Sequence, residues 1–172
     1  RGEITAREHY ARRFANWSPD AEQYLRKVAR PGPGRRTLAV GEVRAWLAPP
    51  WTITNSYFEP SIFLALAAQS PDARRLFVRL RQLGVRRLLV DVPETARLAI
   101  WEGRVWRDAF PEETLQGFFR DHVEVLHARG GTWVYDVVPG ARRWAVVPEC
   151  FEVRADTAHR TGYTCVTLAQ RR

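Results

Sequence analysis

Five polar residues stand where a ligand cleft is expected: Glu42, Arg44, Asn55, Asp91 and Glu94. Each follows or closes a predicted strand. Ligands of open α/β sheets gather at the carboxyl ends of parallel strands. The same residue types also cap helices and tie loops, and that plainer role suits them better. Phosphate chemistry needs a strand, a glycine-rich turn and a helix N-terminus in that order. Gly32-Pro33-Gly34 precedes its strand and lacks a Lys-Ser/Thr pair. Gly41-Glu42 is in the right place but sets a carboxylate where phosphate would sit, so no nucleotide cofactor is expected. Zinc requires clustered histidine and cysteine. His122 and His127 are five apart on a predicted strand and point to opposite faces, while His9 and His159 are remote, so no metal is expected. No G-x-S-x-G nucleophile elbow occurs. The pair Glu112-Glu113 sits at a helix start, where acids are favoured electrostatically.

The positioning elements follow from periodicity and punctuation. Residues 1–30 read as an N-terminal helical segment. Tyr10, Phe14 and Trp17 share one face, and a second helix starts at Ser18-Pro19-Asp20 with Tyr24, Leu25 and Val28 inward. Pro31 to Gly34 form a linker. Thr37–Val40 and Trp51–Thr54 read as strands, with one or two helical turns over Val43–Leu47 between them. Pro60–Ala68 reads as a buried helix. The clearest segment is Ser70–Val92. Ser70 is the expected N-cap and Pro71 the first helical residue. Ala73, Leu76, Phe77, Leu80 and Leu83 form the apolar stripe, and Gly84 ends the helix. Val85–Val92 follows as a strand whose Leu88-Leu89-Val90 run predicts cover on both faces. Pro111–Arg120 is a helix with Leu115, Phe118 and Phe119 inward. Val123–His127 and Thr132–Val138 form a hairpin around Ala128–Gly131. The expected fold is α/β, a Rossmann-like three-layer sandwich whose mostly parallel sheet has an antiparallel hairpin at its edge. Residues 31–139 carry that domain, and residues 140–172 add a hairpin, Trp144–Arg154 with Thr161–Leu168, packed on it. In that hairpin Cys150 falls opposite Cys165. A bridge there would close a loop of about 16 residues and contribute roughly 3 kcal/mol, and would imply an oxidising compartment. The alternative is two free, buried thiols.

The chain has 172 residues, enough for one hydrophobic core, and 45% of them are apolar. No apolar stretch reaches the ~18 residues of a membrane span, and no signal peptide is visible. The sequence starts without Met, so a longer parent protein is expected. Net charge is +8 with a pI near 10.4. Such a balance raises nucleic acid or anionic lipid as partners. Every basic residue but Lys27 is arginine, however, and the arginines are scattered singly or in pairs such as Arg35-Arg36 and Arg86-Arg87. They read mostly as solvated faces of core elements, which disfavours nucleic acid.

Three segments in order, Val40 to Trp46, Leu83 to Val90, and Val123–Leu126 with Trp133–Asp136, are similar to the C-terminal soluble domain of bacterial membrane glycosyltransferases of the dolichyl-phosphate-mannose–protein-mannosyltransferase-like family. There a GE-x-R turn follows a strand, an amphipathic helix ends in LG-V/I before an HLLV-like strand, and a hairpin closes on VYEL-like residues. The similarity spans roughly Tyr24 to Pro139. It implies a parent enzyme that takes sugar from a polyprenyl-phosphate donor at the extracytoplasmic face of the inner membrane. It implies no catalytic residue in this chain, because the family's catalytic acids lie in loops near the first spans. Implied partners are the membrane domain of the same polypeptide and a lipid-linked sugar or an acceptor glycan or protein. Asp91 stands where the family often has Asn, and the tail after Pro139 has no counterpart. The Tyr10/Phe14/Trp17 stripe beside arginine suits a membrane-interfacial helix. Two other readings remain: a basic nucleic-acid-binding α/β module, and a free-standing small α/β enzyme with a ligand over Asn55 and Asp91.

Overall fold

The computed structural model describes residues 19–28, 34–41, 48–56, 59–91, 95, 111–129, 132–142, 153–155 and 161–163. In chain order they form α1 (Pro19–Val28), β1 (Arg36–Val40), β2 (Thr52–Ile53), α2 (Ile62–Ala68), α3 (Ala73–Gln82), β3 (Val85–Asp91), α4 (Glu112–Asp121), β4 (Val123–Arg129), β5 (Thr132–Val137), β6 (Val153–Ala155) and β7 (Thr161–Tyr163).

The main sheet has five strands in the order β2-β1-β3-β5-β4. β1 pairs in parallel with β2 and with β3. The β4–β5 hairpin adds on antiparallel through β5. The fold is therefore α/β, with a parallel core and an antiparallel edge. β6 and β7 form a separate antiparallel pair, Val153 opposite Tyr163.

Strand alternation divides the core. Leu38, Val40, Leu88, Val90, Tyr135 and Val137 pack with Phe63, Leu76, Leu80, Leu115, Phe118 and Phe119 of α2, α3 and α4. Ala39, Leu89 and Val134, the alternate residues, form a second cluster with Leu25 of α1. Leu88, Leu89 and Val90 are each at most 2% exposed, so β3 is covered on both faces as its apolar run predicts. Val85 and Leu88 are three apart yet face the same cluster. The reason is a register shift: Arg36 pairs with Val85 but Thr37 with Arg87, leaving Arg86 as an extra residue. A bulge of this kind resets the phase of a strand.

Helix boundaries refine the sequence reading. Asp72, not Ser70, caps α3: its carboxylate accepts from Arg75 N at 2.7 Å. Ser70 is engaged elsewhere. Its hydroxyl donates to Leu66 O at 2.6 Å, and its carbonyl accepts from Thr114 Oγ1 at 3.3 Å. A carboxylate at the helix start also complements the macrodipole, which a serine does less well. Ser61 caps α2, accepting from Leu64 N. Gly84 ends α3 at φ +76° as expected, and Leu115, Phe118 and Phe119 face inward from α4. The second strand is shorter than expected, Thr52–Ile53 only. The stripe Tyr10/Phe14/Trp17, the turns at Val43–Leu47 and both cysteines lie outside the described residues. No helix among the described residues is long and apolar enough to cross a membrane.

Gly34 and Gly41 test this packing. Both have positive φ, 70° and 80°, which any L side chain resists by about 1–2 kcal/mol. A Cβ on Gly34 meets nothing within 4 Å, whereas one on Gly41 would approach Asp91 O to 2.7 Å and Thr95 N to 2.8 Å. Gly41→Ala is therefore expected to lose clearly more stability than Gly34→Ala in urea unfolding, with both variants destabilised.

Candidate functional site

The carboxyl edge of the parallel strands holds the two sequence-selected residues that fall within the described chain. β1 sits between β2 and β3, so the reversal in strand order lies between the ends of β1 and β3, the usual place for a ligand. Among the described residues, Thr95 stands at that position. Thr95 and the Asp91 carbonyl press against Gly41, and Thr95 Oγ1 donates to Asp91 O at 2.7 Å. Asp91 itself is 2% exposed. Asn55 stands beyond β2, with its amide nitrogen donating to Ser56 O at 3.1 Å and Glu59 O at 3.5 Å. Ser56 N donates to the Glu59 carboxylate, completing a small loop closure. The structure thus places Asn55 and Asp91 at one edge of the sheet and gives Asn55 a loop-tying role. Glu42, Arg44 and Glu94 lie outside the described residues.

An open cleft of about 380 Å³ lies at the opposite, amino edge, lined by Gly34, Arg35, Arg86, Arg87 and Asp136. Gly34, on its lining, packs against a second glycine, Gly84. Gly34 enters β1 and Gly84 enters β3, both at positive φ, and a Cβ on Gly84 would come within 3.1 Å of Gly34 Cα. Arg36 N donates to Gly84 O at 2.9 Å, locking the two strand starts together. Arg86, the bulge residue, donates from Nε to Gly34 O at 3.2 Å.

Arg87 belongs to a polar row that crosses all five strands: Thr52, Thr37, Arg87, Asp136 and Glu124 are successive register partners. Opposite charges meet between Arg87 and Asp136, and like charges between Asp136 and Glu124. Burial is the main influence on the Asp136 carboxyl and pushes its pKa up; Arg87 and Arg86 pull it down, and Glu124 raises it further. Three atoms of this row, Thr37 Oγ1, Thr52 Oγ1 and Arg87 Nε, are buried without a hydrogen-bond partner. Trp51 Nε1, Asn55 Oδ1, His127 Nε2 and Thr132 Oγ1 share that state elsewhere in the described residues, so what sets this row apart is the charge of Arg87 at the cleft wall. Guanidinium groups stay charged and donate in a fixed fork, so the cleft can hold an anion but supplies no base apart from Asp136.

His122 and His127 are apart, but not as two residues of one strand: His122 ends α4 and only His127 lies on β4. His122 stacks on Phe77 at 4.8 Å, and His127 stacks on Tyr24 at 4.8 Å. Among the described residues no cluster of His, Cys, Asp or Glu could hold a metal. Sequence reading missed the amino-edge cleft because Arg86-Arg87 looks like a solvated pair. The signal available was the broken alternation of Val85 to Val90.

No protein-family model, curated protein or solved structure matches this chain.

Asp136 gives a pH-dependent prediction. A carboxyl whose folded pKa is raised favours folding at pH below its unfolded value, and this contribution is lost as pH rises through the folded value. Asp136→Asn is expected to melt higher than the native chain at roughly pH 7 and to lose that advantage at roughly pH 3. Thermal melts at both pH values check it.

Proposed function

We propose that this chain is the non-catalytic, Rossmann-like three-layer domain of a polyprenyl-phosphate-sugar-dependent membrane glycosyltransferase, placed on the extracytoplasmic side of the membrane. It assists recognition of the lipid-linked donor or of the acceptor, and the reaction itself belongs to the membrane part of the same polypeptide. One observation carries the reading. The three segments similar to that family are not scattered: the first begins at Val40, the last residue of β1, with its residues 42–46 outside the described chain, the second spans the α3–β3 junction and the third covers β4–β5. Those strands are contiguous, β1-β3-β5-β4. A shared order of weak motifs gains meaning when the motifs build one continuous sheet, since sheet neighbours constrain one another's sequence. The cleft of arginines at the amino edge supports an accessory role, because its described lining offers mainly positive charge for binding.

Sequencing the source gene upstream of the Arg1 codon tests the reading. Several apolar spans of about 20 residues are expected in frame. A short gene without such spans would contradict it and favour a free-standing small α/β protein.

A further inference from the structure

We propose that the cleft formed by Gly34, Arg35, Arg86, Arg87 and Asp136 is a binding site for a phosphate-bearing ligand, a phosphomonoester or diphosphate group attached to a small organic body. The inference stands on the cleft and is independent of the family reading.

Charge sets the ligand class. Three guanidinium groups and one carboxylate line the cleft, an excess of two positive charges that matches a dianionic phosphoryl group. Geometry sets the mode. Arg86 and Arg87 are consecutive, yet the bulge lets both line the same cleft. In a regular strand, consecutive side chains point to opposite faces. The bulge therefore does for the cleft what alternation would prevent. Arg86 is oriented by its bond to Gly34 O. Arg87 lines the cleft beside it and keeps a buried Nε without a partner. An oxyanion with several lone pairs satisfies such donors, and arginine binds phosphate through two parallel N–H bonds.

Volume sets the size. About 380 Å³ exceeds what a bare phosphate fills and falls at the small end of ligand clefts. Asp136 sits on the wall beside Arg87. It opposes anion binding, so its removal should tighten what removal of an arginine weakens.

The test is a titration of the full chain, followed by ¹⁵N–¹H NMR at constant ionic strength, with inorganic phosphate and pyrophosphate as soluble probes. A parallel arm measures co-sedimentation with phosphatidylcholine vesicles with and without phosphatidic acid. Saturable one-to-one binding of pyrophosphate is expected, weakened at least about tenfold in Arg87→Gln and tightened in Asp136→Asn. Arg74→Gln, an exposed arginine on α3, should bind as the native chain does. Circular dichroism melts identify variants that fail to fold; if Arg87→Gln is one, the exposed Arg86 supplies Arg86→Gln as the second variant. Saturation by the soluble probes marks a free phosphate compound. Binding only to vesicles containing phosphatidic acid, lost in the arginine variants, marks a lipid headgroup. Absence of saturable binding in both arms overturns the proposal. So does binding that Arg74→Gln weakens as much as Arg87→Gln.

Discussion

Strand β3 must hide both of its faces, and the rest of the structure follows from how that is met. It runs through the middle of the sheet, parallel to β1 on one side and antiparallel to β5 on the other. Leu88 and Val90 need one apolar layer, which α2, α3 and α4 supply with Phe63, Leu76, Leu80, Leu115, Phe118 and Phe119. Leu89 needs another, which Ala39, Val134 and Leu25 supply. Complete burial of a Leu or Val side chain contributes about 1.5–3 kcal/mol, so three consecutive ones fix this strand more firmly than any cap or turn. The aromatic residues reinforce the larger layer. Phe118 and Phe119 meet edge-on, and Phe119 meets Tyr135 of β5 in the same way, an arrangement that favours one packing over its alternatives.

That constraint is also what makes the amino edge polar. The strand enters the core through Val85 and reaches it again at Leu88, with two arginines between. If the strand were regular, Val85 would face away from the layer that Leu88 enters. The extra residue at Arg86 returns Val85 to that layer and brings both arginines to one cleft. Packing and site are thus two results of one register shift. The cost is carried by the polar row, in which Asp136 faces Arg87 on one side and Glu124 on the other. Its carboxyl is held partly out of water between unlike and like charge, which is why its pKa moves up although arginines stand close by.

Much of this fold is legible in the sequence because its signals are local. The stripe Leu76/Leu80 with Gly84 after it, the unbroken Leu88-Leu89-Val90, and the inward set Leu115/Phe118/Phe119 each need only a few adjacent residues to be read. The cap of α3 is ambiguous in the sequence because two good cap residues, Ser70 and Asp72, lie two apart, and only the tertiary bond from Thr114 to Ser70 O shows that Ser70 serves another junction. The site was less legible. Topology correctly sends Asn55 and Asp91 to one edge of the sheet, but only the fold shows Thr95 closing that edge over Gly41. The opposite cleft depends on cross-strand register between residues 36 and 85 and between 87 and 136. Pairings so distant leave only one local trace, the broken alternation of Val85 to Val90.

The central claim is that the Arg87 guanidinium on the cleft wall binds a phosphoryl oxygen. The most direct measurement is side-chain arginine Nε–H NMR of the native chain, with the Arg87 resonance assigned by its loss in Arg87→Lys, during addition of pyrophosphate. A saturable downfield shift of that resonance with slowed exchange against solvent is expected. An Arg87 signal that stays fixed while resonances of exposed arginines such as Arg74 drift together would contradict it.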